Sequence, residues 1–183
     1  MRLVEESKSV WLDTLFQNPR QESYERILFE FDQLGKSPSL PGPKFVFIHI
    51  MAPHSFPFIF KADGGFELSS SVDPALGNEL LFLNKRTLEA VQAIIAQSTN
   101  PPIIIIQGDH GLDTEVRMAN LNAYYFPNDG AKVLYPTISP VNTFRLVLNT
   151  YFGQNLPLLP DVSYYSSYED VFQFTEVKYP CNP

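Results

Sequence analysis

Sixteen prolines punctuate this chain of 183 residues, roughly twice the share of about 5% in ordinary proteins. Proline lacks a backbone N–H and interrupts helix interiors and central strands, so long all-helical designs are excluded and short elements joined by many loops are expected. Apolar residues at 44% and charged residues at 18% supply a core and exclude intrinsic disorder. Such a length points to a single domain that buries roughly two thirds of its unfolded surface.

The elements fall between the prolines. A helix is expected from Asn18-Pro19 to Gly35, with Asn18 as cap, Pro19 in the first turn and Gly35 as the stop. Tyr24, Leu28 and Phe31, flanked by Ile27 and Leu34, give it an apolar stripe. The linker 37–43 ends helix propensity, so residues 1–43 read as a helical lead-in and linker. Lys44 to Ile50 is a nearly unbroken apolar run, the pattern of a strand buried on both faces of a parallel sheet. Residues 51–77 form an irregular excursion with a turn signal at Asp63-Gly64-Gly65. Residues 79–98 return to helical spacing, with Leu81, Leu88, Val91 and Ile95 on the expected core face.

Ile103 to Ile106 is β-branched throughout and reads as a second buried strand. Strand, helix and strand form a right-handed crossover, which makes 44–50 and 103–107 parallel neighbours. A third strand is expected near 121–126 and a weaker one near 132–135. A helix runs from Ser139-Pro140 to Gly153 with Phe144, Leu148 and Tyr151 on one face. The fold class expected from this order is α/β, a layered, largely parallel sheet with flanking helices.

Charge narrows the function. Thirteen Lys and Arg against twenty Asp and Glu give a net charge of -7, and no basic run exceeds Lys85-Arg86, so nucleic acid is not an expected partner. The lone cysteine, Cys181, has no partner for a disulfide or thiolate metal site. Glu5, Glu6 and Asp13 among the first twenty residues fit neither a signal peptide nor a spanning helix, and the chain as given reads as soluble.

Three histidines, His49, His54 and His110, lie at or just past the carboxyl ends of the two expected strands, the edge where open α/β sheets bind ligands. The sharpest cluster is Gln107-Gly108-Asp109-His110-Gly111. An adjacent carboxylate and imidazole on a glycine-flanked turn can reach one divalent cation, although an ordinary Asp-X-Gly turn would show the same residues. His54 sits between prolines and either faces a cleft or fixes its loop, while His49, inside an apolar strand, reads as a core residue bonded to backbone. There is no Gly-X-Ser-X-Gly elbow, phosphate-binding glycine loop, dinucleotide fingerprint or His-Glu-X-X-His helix.

The stretches FVFIHIMAPHSFPF (45–58), IIIIQGDHG (103–111), LNAYYFP (121–127) and SPVNTFRLVLNTYFG (139–153) together resemble the later half of the alkaline phosphatase and sulfatase superfamily. The likeness is greatest to bacterial membrane-anchored sulfatase-like hydrolase/transferase proteins, a group that includes lipoteichoic acid synthase-like enzymes. The resemblance implies an alkaline phosphatase-like fold, present here as a partial domain over 1–183. It also implies that Asp109 and His110 are metal ligands and that His54 contacts the charged group of a phosphate- or sulfate-ester substrate. It further implies an extracytoplasmic setting in a membrane-anchored protein. Residues 1–43 offer no Asp-Gly followed by a nucleophile at a helix start, and no histidine follows His110, so a one-metal type is the better analogy.

The expected function is therefore the carboxyl-terminal portion of a metal-dependent phosphoester or sulfoester hydrolase or phosphotransferase, lacking its nucleophile half and inactive alone. The alternative is a non-catalytic binding or regulatory module that keeps the fold. One divalent cation is expected, bound weakly, with manganese or zinc favoured over magnesium because imidazole is the softer donor. A missing amino-terminal half or self-association is expected to cover exposed apolar surface.

Overall fold

The computed structural model describes residues 19–54, 59–69, 72–111 and 117–177. The chain divides into two compact units, Met1–Asn100 and Pro101–Pro183.

The first unit is built on two helices, α1 (Pro19–Lys36) and α2 (Val72–Gln97), with a 3-10 turn at Ser37–Ser39 after α1. Ile27 and Phe31 of α1 meet Phe82 and Leu83 of α2, together with Ile59 and Phe60, in one buried cluster. Phe60 stacks on Phe82 with ring centroids 4.5 Å apart. Arg86 of α2 ties the helices by pairing with Asp32 of α1 and lying 5.7 Å over the Phe31 ring.

A tight turn presents the Phe60 ring to that cluster. Phe60 and Phe66 form an antiparallel bridge, Lys61 N–H donates to Gly65 O at 2.8 Å, and Gly65 N–H donates to Asp63 Oδ1 at 3.0 Å. Gly64 has φ +93°, and a Cβ there would stand 2.7 Å from Cε2 of Phe82, so backbone and packing both demand glycine. The Asp63-Gly64-Gly65 turn is thus the one the sequence signalled.

Glu79 is the polar centre of this unit. It is buried, and its Oε2 accepts the backbone N–H groups of Ile59 at 2.7 Å and Phe60 at 3.2 Å. Burial, the largest influence, holds its carboxyl above the ordinary 4.5 despite these two bonds and the Arg20 charge, which act to lower it. The buried face of α2 accordingly runs through Ala75, Glu79, Phe82, Leu83 and Ala90, while Leu81 and Leu88 are exposed. The face expected from Leu81, Leu88, Val91 and Ile95 is corrected by this, because a glutamate that serves backbone amides occupies the core stripe.

In the second unit β1 (Ile104–Gln107) pairs antiparallel with β2 (Asn122–Tyr125), in the register Ile104 to Tyr125 and Gln107 to Asn122. Ile103 and Ile105 pack on the buried cluster of Phe126, Leu146 and Val147, together with Tyr124 and Tyr151. A 3-10 turn at Gly130–Val133 stands where a weak strand was expected. It precedes α3 (Pro140–Tyr151), which buries Asn142, Thr143, Leu146 and Val147 and leaves Phe144 exposed. A hairpin of β3 (Ser163–Tyr165) and β4 (Thr175–Val177) follows.

The layered, largely parallel sheet, and with it the alkaline phosphatase-like architecture, is overturned by two separate two-stranded antiparallel sheets. The strand expected at 44–50 forms no ladder among the described residues, and Phe45 and Phe47 are 77% and 80% exposed. The isoleucine run is a half-buried strand with alternate residues on the core, and in a run of four aliphatic residues that alternation is invisible in the sequence. The right-handed crossover therefore has no second strand to join.

Segment 154–161 runs back along α3, held by two asparagines. Asn149 accepts from Leu156 N–H at 2.7 Å and donates to Leu156 O at 2.8 Å, and Asn142 does the same with Leu159 at 2.9 and 2.8 Å. Asp161 accepts the Ser139 N–H and hydroxyl, the Tyr135 hydroxyl and an Asn142 amide hydrogen. Burial pushes the Asp161 carboxyl up, but these hydrogen bonds outweigh it and hold the group below its ordinary 3.8. Ser139, the expected cap, makes no side-chain bond to its own helix and turns to Asp161 instead.

These buried polar centres lead to three expected outcomes. Glu79→Ala strands two buried amides and should lower stability in urea denaturation by about 2–4 kcal/mol. Because the folded pKa is raised, the stability linked to Glu79 is present below its unfolded value and lost as pH rises through the folded one. Wild type should thus gain on Glu79→Gln as pH falls toward 4.5, and a constant difference would refute the buried carboxyl. Asn142→Ala should cost about 2–4 kcal/mol, more than Asn149→Ala, whose segment remains held by Asn142. A loss under about 0.5 kcal/mol would show that the segment holds by other means.

Candidate functional site

The loop that leaves β1 carries the carboxylate and imidazole singled out by sequence. Its neck is closed by three bonds: Gly108 N–H to Leu121 O at 2.8 Å, Asn120 Nδ2 to Gly108 O at 2.8 Å, and Gly111 N–H to Arg117 O at 2.6 Å. At Gly108 a Cβ would stand 3.5 Å from the Leu121 backbone nitrogen, in ordinary contact.

Within this neck Asp109 Oδ1 accepts the N–H of His110 at 3.0 Å, which fixes the carboxylate. His110 Nδ1 lies 2.6 Å from the carbonyl oxygen of Gly111. A carbonyl can only accept, so Nδ1 carries a proton in this geometry, and whenever the ring is neutral it is Nε2 that keeps the lone pair. That Nε2 stands 3.6 Å from Asp109 Oδ2, the other oxygen of the same carboxylate.

Two lone-pair atoms at this separation match the bite of a small cation. Ligands about 2.0–2.2 Å from a tetrahedral ion stand about 3.3–3.5 Å apart, so a slight closure brings both onto one ion. The backbone carbonyl on the far ring nitrogen is the outer partner that metal-bound histidines commonly have. With the Asp109 and His110 side chains 76% and 41% exposed, an ion pair between them contributes little to stability. The residues therefore fit a cation, and they supply two ligands: among the described residues no three His, Cys, Asp or Glu side chains gather as a set.

The floor under this loop is polar. Gln107 Nε2 donates to Asn122 Oδ1 at 2.9 Å and to Thr143 Oγ1 at 2.8 Å, and the Tyr124 hydroxyl lies 2.8 Å from the same Thr143 oxygen. Thr143 is fully buried, so α3 fixes the end of β1 from which the loop departs.

His54 is exposed and belongs to the first unit, whereas Asp109 and His110 belong to the second. His49 is also exposed, which corrects its reading as a core residue: the strand that would have enclosed it does not form. Cys181 lies outside the described residues. A shallow pocket of about 210 Å³ in the first unit, lined by Phe60, Glu67, Pro74 and Asn78 among others, contains none of the candidate residues. No described helix is long and apolar enough to cross a membrane.

Sequence reasoning missed Gln107, Asn122 and Thr143 as supports of the loop. Gln107 stood inside the cluster already singled out, and a polar residue ending an aliphatic strand was the signal available.

No protein-family model, curated protein or solved structure matches this chain.

Proposed function

We propose that the loop after β1 is a divalent-cation site serving phosphoester or sulfoester chemistry, hydrolysis or phosphoryl transfer, with Asp109 and His110 as the ligands. The observation that carries this is the hydrogen bond from His110 Nδ1 to Gly111 O. It selects the tautomer of the neutral ring whose Nε2 lone pair lies 3.6 Å from Asp109 Oδ2.

Each local group has a task in that reading. His110 N–H holds Asp109 Oδ1 and leaves Oδ2 to bind. Gly111 O orients the ring, and the bonds at Gly108 and Gly111 join the two sides of the loop's neck. A bound cation would supply positive charge to polarise a phosphoryl or sulfuryl oxygen and offset the charge that develops there. In this reading Asp109 and His110 contribute the metal-holding part of such a site. With two protein ligands, most of the coordination sphere falls to water and binding is weak.

Titration calorimetry with manganese and zinc should show weak binding to the wild type. Asp109→Ala and His110→Ala should each weaken it by at least about tenfold. The chain alone should not turn over p-nitrophenyl phosphate or sulfate. Binding that survives Asp109→Ala, or brisk turnover by this chain, would place the site elsewhere.

A further inference from the structure

The β3–β4 hairpin carries aromatic side chains that its own unit does not cover. Tyr168 is 94% and Phe172 86% exposed in the loop between the strands, and Tyr164 and Phe174 are exposed beside them. The loop is nonetheless shaped: Asp170 N–H donates to Ser167 Oγ at 3.0 Å and Gln173 N–H to Asp170 O at 3.2 Å. Three residue pairs make the ladder, and a two-stranded hairpin of that size is marginal in water without something packed on it.

Charge identifies what would pack there. From Leu146 to Val177 the sequence has no lysine or arginine, while Glu169, Asp170 and Glu176 interleave with the aromatics. Tyr164 stands directly opposite Glu176 in the ladder, so a ring and a carboxylate share one exposed face. No ion pair among the described residues engages these three acids. Rings next to carboxylates favour a cation over the ring face with a counter-charge at its side. A second copy of a chain with net charge -7 and an anionic lipid surface would both be repelled.

We infer that the hairpin Ser163–Val177 docks a basic peptide segment of a partner protein, with arginine or lysine side chains laid on Tyr164, Tyr168 and Phe172 and paired with Glu169, Asp170 and Glu176. The inference does not depend on the cation site.

The test is fluorescence anisotropy of the full chain with a fluorescein-labelled peptide of alternating arginine and alanine, against the same peptide with glutamine for arginine. The arginine peptide should bind. Binding should fall about tenfold with glutamine, about tenfold in the double variant Tyr168→Ala, Phe172→Ala, and several-fold in Glu169→Gln, Asp170→Asn. The second variant keeps side-chain size and decides the matter if circular dichroism shows the first to misfold. Equal binding of the arginine peptide by wild type and both variants would reduce the effect to general attraction by an acidic protein and overturn the inference. Sedimentation showing a dimer that Tyr168→Ala, Phe172→Ala abolishes would assign the hairpin to a second copy instead. Flotation with phosphatidylcholine vesicles that is lost in the same variant would assign it to a lipid surface. Either result overturns the docking of a basic peptide.

Discussion

Two side-chain amides on one helix organise the second unit. Asn142 and Asn149 are seven residues apart, close to two turns, so they share a face of α3 about 10.5 Å apart along the axis. Leu156 and Leu159 are three residues apart in a segment with Pro157 and Pro160, and a polyproline-like chain advances about 9.3 Å over that distance. The near match lets each amide make a reciprocal pair of bonds with one backbone residue. A proline-rich segment cannot form a ladder of its own, and here the helix supplies the donors and acceptors that a neighbouring strand would otherwise provide.

The same helix turn reaches the loop after β1. Asn142 engages Tyr135, Leu159 and Asp161, and its neighbour Thr143 takes hydrogen bonds from Gln107 and meets the Tyr124 hydroxyl. Gln107 is the last residue of β1, so the buried polar pair at the start of α3 joins the returning segment to the strand that aims Asp109 and His110. Networks of this kind, once fully satisfied, define one arrangement of their members. Glu79 does comparable work in the first unit, where one carboxylate oxygen collects two amides from the turn that delivers Phe60.

Legibility in the sequence followed the range of the interaction. Helix limits near Pro19, Pro140 and Gln97, the Asp63-Gly64-Gly65 turn and the strand at 104–107 rest on local signals and were readable. The buried face of α1 was readable as well, since Ile27 and Phe31 of its expected stripe lie in the core with Tyr24 and Leu28 against them, but the buried faces of α2 and α3 were not. Glu79, Asn142 and Thr143 are polar residues whose partners lie far away in sequence, so a hydrophobic stripe points past them. The parallel sheet failed for a related reason. An aliphatic run states that a strand is apolar without stating whether one or both faces are covered, and the run at 44–50 has no ladder to complete it. The closeness of the Asp109 and His110 side chains was legible because the contacts that hold them run within three consecutive residues, 109–111. The tautomer was not, since it depends on which carbonyl the ring meets.

That tautomer is the point on which the proposed cation site stands, and nitrogen-15 long-range correlation spectra of the histidine rings read it directly. With neutral His110, Nδ1 should show the shift of a protonated ring nitrogen and Nε2 that of a bare one. Zinc should then move the Nε2 resonance and leave Nδ1 protonated. A neutral ring protonated at Nε2, or a zinc response at Nδ1, would contradict the account, because the lone pair would then face away from Asp109.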